Sequence, residues 1–355
     1  MDLNDGGAVH QILGRVAPGD AATENGLAIQ RRLRHSERRS ELFAEQIHPR
    51  LARAVRPLRE FAVSERSVCL FHVCEGWPAR VAHASAARLG IVAYQEDAVA
   101  LSVPFGRSEM VRSFERERTL RAFVTRAELA LAGTEVVRGA LAGLGFRATA
   151  LLPMVPEPME RIGMPVLQRL FRDKRVNILF AGRLMPDERI DELLRAFAVY
   201  QRFVRPASRL ILVGDRARVP RYYGALTRLV DELRLEQVVF PGPLDGEELR
   251  ACYAEASVFV SFALDREGAR LREAMAAGVP ILVGKGVADD LMLGSGVRVQ
   301  GERLDDLAEL IDALATPGPL RQGVVVKQAQ ALGTTGLATR RLLDSLAPLL
   351  VRTTA

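Results

Sequence analysis

Glu273 opens a Glu-Ala-Met-Ala-Ala-Gly-Val-Pro run, and Asp265 stands eight positions upstream with Gly268 between them. Two acids held around a turn suit a site that grips hydroxyl groups, such as those of a sugar and a ribose. Upstream, Phe180-Ala-Gly-Arg-Leu-Met-Pro-Asp-Glu-Arg-Ile-Asp191 reads as a strand leaving through Gly182 into Arg183. Gly182 permits close backbone approach. A guanidinium at a strand's carboxyl end can clamp a diphosphate with two donors and stabilise charge on a leaving group. A surface arginine in a strand-to-helix loop would look the same, so this feature gains weight only from its neighbours. Leu212-Val-Gly-Asp215 ends an apolar strand in Gly-Asp. Asp215 can orient a base or ribose, although a strand-ending turn calls for the same dipeptide.

The stretch from Ser261 to Pro280 carries the most. A loop over Asp265–Gly268 follows an apolar strand, and a helix then begins near Ala269 and Arg270. Its first amides have unsatisfied donors and the positive end of the helix dipole, which suits an anion. Glu273 inside that helix can accept both hydroxyls of a ribose. Gly278-Val-Pro280 closes the helix and opens the next strand. Nearer the amino terminus, Ala17-Pro-Gly-Asp20 forms a loop in which Gly19 and its amides can approach a diphosphate or an acceptor. His72, close to Cys74 and Gly76, is a polar tip at a strand end, or a structural histidine.

These residues need a scaffold, and the sequence supplies one. Short apolar runs alternate with amphipathic stretches, which argues for βα units and parallel sheets. Expected strands are Val9–Leu13, Val68–Val73, Gly90–Tyr94 and Thr149–Pro153, with helices over Glu24–Arg34, Glu109–Arg126 and Glu135–Leu144. A second series follows, with strands at Asn177–Ala181, Arg209–Val213, Val238–Phe240, Val258–Phe262, Pro280–Val283 and Val297–Val299. Helices are expected over Asp191–Phe203 and Tyr222–Leu233. Between the series lies Pro153-Met-Val-Pro-Glu-Pro158, stiff enough for a linker. The expected organisation is an amino-terminal α/β domain over 1–158, a second over 159–335, and a closing helix within 336–355 that packs back across the domains. In open α/β sheets ligands bind where loops leave the carboxyl ends of strands, so the site is expected between the two domains.

Composition limits the alternatives. With 355 residues, 48% hydrophobic and 26% charged, the chain can bury two cores. The net charge is +6, almost all from arginine, since only Lys174, Lys285 and Lys327 are lysines. The densest basic stretch, Arg31 to Arg59, interleaves Glu37, Glu41 and Glu45, and reads as a solvated helix face rather than a nucleic-acid arm. Cys69, Cys74 and Cys252 have neither disulfide-framework nor zinc spacing. No apolar run nears the ~18 residues that span a bilayer, and the first residues are polar. A cytoplasmic protein is expected, with any membrane contact peripheral and at the inner face.

Taken together the motifs resemble family 4 retaining glycosyltransferases, which have the GT-B fold of two Rossmann-like domains with parallel sheets. Gly182-Arg183-Leu184-x-Pro186, Val213-Gly214-Asp215 and Glu273-Ala-Met-Ala-x-Gly278-x-Pro280 carry that likeness. His10-Gln-Ile-Leu through Pro18-Gly-Asp20, followed by His48-Pro-Arg-Leu51, resembles a bacterial polysaccharide-type subset. The resemblance implies a hexosyltransferase that moves a sugar from a nucleotide diphosphate to a glycan or lipid-linked acceptor with retention, without a metal. It implies that Arg183 holds the diphosphate, Glu273 the ribose, and Gly268, Ala269 and Arg270 the donor sugar, with Asp215 beside the nucleotide. Gly19, Asp20, His72 and Gln95 fall on the acceptor side. Three positions depart from the pattern. Glu188 replaces a lysine, with Arg189 next in line to substitute for it; Asp265 replaces a longer acid; Gln95 replaces a histidine. They leave a second reading open, a catalytically degenerate GT-B protein that acts as a binding or partner subunit.

Overall fold

The computed structural model describes residues 8–17, 20–62, 67–73, 88–93, 120–152, 170–217, 219–244, 246–262, 268–287, 289, 292–300, 303–333 and 335–350. Gly19, Gln95, Asp265, the Pro153–Pro158 segment and most of the Glu109–Arg126 helix lie outside them. The chain forms two compact units, Met1–Met154 with Thr334–Ala355, and Val155–Gly333.

The first unit holds a seven-stranded sheet of β1 (Val9–Val16), β2 (Leu42–Ile47), β3 (Arg56–Pro57), β4 (Val68–Val73), β5 (Arg88–Ala93), β6 (Leu129–Ala132) and β7 (Thr149–Leu151). Their order is β3-β2-β1-β4-β5-β6-β7, and each registered pair is parallel. Both faces are covered, as a parallel sheet requires. On β4, Val68 and Leu70 enter one apolar cluster while Cys69, Phe71 and Val73 enter the other, because successive side chains point to opposite faces. Helix α1 (Ala21–His35) follows β1, and α2 (Glu135–Leu144) follows β6.

The second unit holds β8 (Val176–Ala181), β9 (Ser208–Val213), β10 (Val238–Gly242), β11 (Val258–Ser261), β12 (Ile281–Val283) and β13 (Val297–Arg298). They are ordered β10-β9-β8-β11-β12-β13 and are again parallel. Ile178 and Phe180 of β8 face one core with Leu210 and Leu212 of β9. Leu179 and Ala181 face the other with Ile211 and Val213. The helices are α3 (Ile190–Val199), α4 (Pro220–Glu232), α5 (Gly246–Glu255), α6 (Ala269–Ala276), α7 (Leu304–Ala315) and α8 (Pro319–Leu332).

Expectation and structure differ at several points. The Arg31–Arg59 stretch, expected as a solvated helix face, is helical only to His35 and then supplies β2 and β3, since Leu42, Phe43 and Ala44 are buried. The helix expected over Asp191–Phe203 is α-helical only to Val199, and Tyr200–Val204 continue as a π-helix. Tyr200 is buried in the core and donates to Asp312 Oδ1 of α7 at 3.0 Å, which anchors the widened turn. The closing helix, α9 (Thr335–Leu350), belongs to the first unit, where Leu342, Leu346 and Leu349 join the apolar cluster of Val9, Leu70 and Leu129. The i, i+4, i+7 spacing of those leucines puts them on one helical face. Ser345 Oγ donates to the Leu151 carbonyl at 3.0 Å, and Arg88 donates to the Pro348 carbonyl at 3.1 Å.

Candidate functional site

Strand order fixes where each sheet can bind. In the second sheet the chain runs β8 to β9 to β10 in one direction, then returns to place β11 on the other side of β8. Loops leaving β8 and β11 therefore diverge, and such a switch point is where open α/β sheets bind ligands. Arg183 follows β8, while Gly268 and α6 follow β11. The first sheet has its switch between β1 and β4, and the loop leaving β1 leads to Asp20.

The carboxyl edge of the second sheet is drawn tight at its glycines. Gly182 N–H donates to the Val213 carbonyl at 3.0 Å, and Gly214 N–H donates to that of Gly242 at 3.2 Å. A Cβ on Gly214 would lie 2.4 Å from the Gly182 carbonyl oxygen, so only glycine fits there. Asp215, next along, accepts from Ala217 N–H at 2.8 Å and closes its own turn.

Arg183 is already engaged by its own loop. A 3-10 turn over Pro186–Glu188 brings Asp187 Oδ2 to 3.2 Å from Nη2 and Glu188 Oε1 to 3.3 Å from Nε. The Arg183 side chain is 22% exposed and that of Glu188 11%. Arg189 then takes a left-handed conformation, φ 51°, and caps the start of α3. Its side chain turns to Glu192 at 2.5 Å rather than sharing the carboxylates around Arg183.

Glu273 is likewise held from two sides. Gly268 adopts φ 61° at the start of α6, and Ala269 behind it is buried. Arg270 Nη1 lies 3.0 and 2.8 Å from the two Glu273 oxygens, one helical turn away. The Tyr253 hydroxyl donates to Glu273 Oε2 at 3.0 Å and lies 3.3 Å from the Arg270 carbonyl oxygen. Burial pushes the Tyr253 phenol well up, the Glu273 charge adds to that, and the Arg270 charge opposes it. The Tyr253 proton therefore stays in place to orient the carboxylate.

In the first unit Asp20 caps α1. Its Oδ2 accepts from Thr23 N–H at 2.9 Å and from Thr23 Oγ1 at 2.7 Å, and Thr23 Oγ1 accepts from Ala17 N–H at 3.2 Å. Asp20, expected on the acceptor side, thus fixes the start of α1 together with Thr23. His72 is fully buried within β4, with Nε2 2.9 Å from Gln11 Oε1. Gln11 Nε2 donates to the Gly26 carbonyl, so the oxygen faces His72 and the imidazole Nε2 carries the proton. Burial lowers its pKa to about 3.

The sequence reading passed over other residues near this sheet edge. Arg272 of α6, beside Glu273, is 1% exposed. Its only signal is a charged residue among Ala269, Leu271, Ala274 and Met275, all buried. Glu192, Gly284, Lys285 and Arg303, also passed over by the sequence reading, line a concavity at the same sheet edge together with Arg189 and Phe262. Among the described residues no group of three or more His, Cys, Asp or Glu is placed to hold a metal. None of their helices is long and apolar enough to cross a membrane.

Residues 175–317 match the family described as Glycosyl transferases group 1. That span starts one residue before β8 and ends just after α7, so it covers the whole second sheet. No curated protein sequence matches. Among solved structures, Anabaena HepE in complex with UDP-glucose superposes with a TM-score of 0.70 at 15% identity, over 96% of this chain and 99% of that one. A trehalose 6-phosphate synthase from Burkholderia multivorans gives 0.68 at 12%, over 98% and 100%. WaaG, a glycosyltransferase involved in lipopolysaccharide biosynthesis, gives 0.66 at 16%, again over 98% and 100%. At these identities the likeness carries the fold, which is GT-B: two Rossmann-like α/β units, each on a parallel sheet.

Proposed function

We propose that this protein is a glycosyltransferase that moves a sugar from a nucleotide-diphosphate donor to a glycan or lipid-linked acceptor with retention. The observation that carries the proposal is the family match over the second unit, with Arg183 and Glu273 both at the switch-point edge of that sheet. The printed descriptions of HepE with UDP-glucose and of WaaG fit the same class of reaction. Under this reading Arg183 binds the diphosphate, Glu273 accepts from the ribose hydroxyls, and the first amides of α6 with Gly268, Ala269 and Arg270 hold the sugar. Asp215 and Arg189 lie along the nucleotide, and Asp265, outside the described residues, is the acid that accompanies Glu273 in the donor motif.

Retention follows if the sugar–phosphate bond breaks and the acceptor oxygen attacks on the same face, the acceptor proton passing to the departing phosphate oxygen. No protein base is then required, and catalysis rests on charge stabilisation by Arg183 and helix amides. Arg183 must exchange Asp187 and Glu188 for phosphate oxygens as the donor enters. That exchange, together with the pairing of Glu273 by Arg270 and Tyr253, also favours the second reading, a GT-B subunit that binds without turnover.

Thermal-shift screening against UDP, GDP, ADP and their sugars, followed by transfer assays, separates the two. Donor-dependent stabilisation and product, lost in Arg183→Ala and Glu273→Ala, supports transfer. Full activity in both variants discards the mechanism, and silence toward every nucleotide favours the non-catalytic subunit. The anomeric configuration of product, read by NMR, tests retention.

A further inference from the structure

The carboxyl edge of the second sheet carries a glycine at each of three neighbouring strands: Gly182 after β8, Gly214 after β9 and Gly242 at the end of β10. Gly182 N–H donates to Val213 and Gly214 N–H to Gly242, so the three strand ends stand side by side, about 4.8 Å apart. Arg183 and Asp215, which follow two of these glycines, belong to the proposed donor site. Arg216, one residue further, reaches across to β10.

Arg216 is exposed at the centre of the turn that Asp215 closes by accepting from Ala217 N–H at 2.8 Å. A Cβ on Gly242 would stand 3.5, 3.7 and 3.8 Å from its Nη2, Nε and Cζ atoms, so the guanidinium rests against this glycine. Gly242 has φ 92°, a conformation that side-chain-bearing residues avoid, and the strand end stays bare beside the arginine. The Arg216 guanidinium makes no hydrogen bond or ion pair with a described residue.

Tyr253 ties this corner of the sheet to Glu273. It lies in α5, the helix that follows β10, and its hydroxyl donates to Glu273 Oε2 at 3.0 Å. A nucleotide whose ribose meets Glu273 therefore has α5 beside it, and the strand end from which α5 is reached is the one that Arg216 covers.

We infer that Arg216 selects the base of the donor, preferring a ring carbonyl to an amino group at the same position: uracil over cytosine, or a 6-oxopurine over adenine. The inference rests on the proposed nucleotide-sugar reading of this site and adds the class of base to it. A guanidinium offers five N–H donors and no acceptor. Uracil O4 and guanine O6 accept from it, whereas cytosine N4 and adenine N6 are themselves donors and would meet it donor to donor. A buried donor left facing another donor is what makes such a site reject the wrong ring.

Titration calorimetry on the full chain tests this with two matched pairs, UDP with CDP and inosine diphosphate with ADP. In at least one pair the oxo member should bind at least about tenfold tighter than the amino member. Arg216→Ala should bring that pair close to equal affinity, by weakening the oxo member, at an unchanged melting temperature. Arg216→Lys keeps a donor and should hold an intermediate preference, which a merely structural role for the side chain would not produce. Binding with no preference in either pair, a preference for the amino member, or an unchanged ratio in Arg216→Ala would overturn the role of Arg216 and leave the donor site standing. Silence of the wild type toward all four nucleotides would overturn the nucleotide-sugar reading, and this inference with it.

Discussion

Glu188 Oε1 lies 3.3 Å from Nε of Arg183, so a carboxylate is turned onto the arginine proposed to hold a diphosphate. Asp187 reaches the same guanidinium at 3.2 Å, and the pairing inverts the local charge. An anion must compete with two carboxylates for Arg183, and at ~4 Å each unit of like charge opposes it by roughly 4 kcal/mol in a partly exposed setting. Under the proposed function Glu188→Gln therefore tightens nucleoside-diphosphate binding, by about tenfold or about 1.4 kcal/mol. Glu188→Lys should tighten it further. Calorimetric titration with UDP, GDP and ADP reads this directly, and unchanged affinity in both variants would place the diphosphate away from Arg183.

Tyr253 and Arg270 aim the Glu273 carboxylate, and the proposal uses it to accept from a ribose. Glu273→Ala should lower affinity for the preferred nucleoside diphosphate by one to two orders of magnitude, about 1.5–3 kcal/mol for bonds to a charged acceptor. The 2′-deoxy analogue should lose far less, since it already lacks one of those donors. Tyr253→Phe keeps the carboxylate but frees its orientation, so a smaller loss in the same direction is expected. Equal losses for the ribose and deoxyribose ligands would mean that Glu273 supports α6 rather than the ribose.

Much of the second unit could be read in the chain, because each face of its strands is apolar and each run is short. Val258–Phe262 and Asn177–Ala181 fall within a residue or two of β11 and β8. Leu342, Leu346 and Leu349 show the same legibility in α9. Other elements were hidden for physical reasons. Leu129–Ala132 reads Leu-Ala-Leu-Ala, a composition with high helix propensity, and becomes β6 because its neighbours β5 and β7 supply partners. Leu42–Ile47 sits inside the arginine-rich stretch and carries Glu45, which masks the apolar face that pairs with β1. At the site, residue types announced Arg183, Glu188 and Glu273. The pairing of Arg183 with Glu188 depends on the turn at Pro186–Glu188 and on the left-handed Arg189, and no spacing rule predicts a non-glycine residue there.

Gly214 tests how tightly the edge must close. A methyl group there would sit 2.4 Å from the Gly182 carbonyl oxygen and 2.9 Å from Leu184 Cγ. The first obstacle is backbone, which cannot swing aside as a side-chain end can. Gly214→Ala should lower stability by about 1–3 kcal/mol, the usual penalty of overpacking, and displace the loop that carries Arg183. Urea unfolding measures the first effect and nucleotide titration the second. A variant as stable as the wild type would show that β8 and β9 splay apart freely at their carboxyl ends.

His72 gives the first unit a pH dependence of known sign. Its imidazole is neutral in the folded state, with a pKa that burial lowers from 6.5 to about 3. Between those values the unfolded chain binds the proton and the folded chain does not, so stability is full above pH 6.5 and falls as pH drops toward 3. The contribution approaches about 1.4 kcal/mol per pH unit inside that window. His10, whose pKa is lowered chiefly by burial, adds to the loss with the same sign. His72→Gln keeps a donor for Gln11 Oε1 and removes the titration. Urea unfolding from pH 7 to pH 4 should therefore show a slope shallower by about one proton in the variant, at whatever absolute stability it reaches. Parallel slopes for the two proteins would mean that His72 gains its proton in the folded state, and that the core around Gln11 and Gly26 admits the charge.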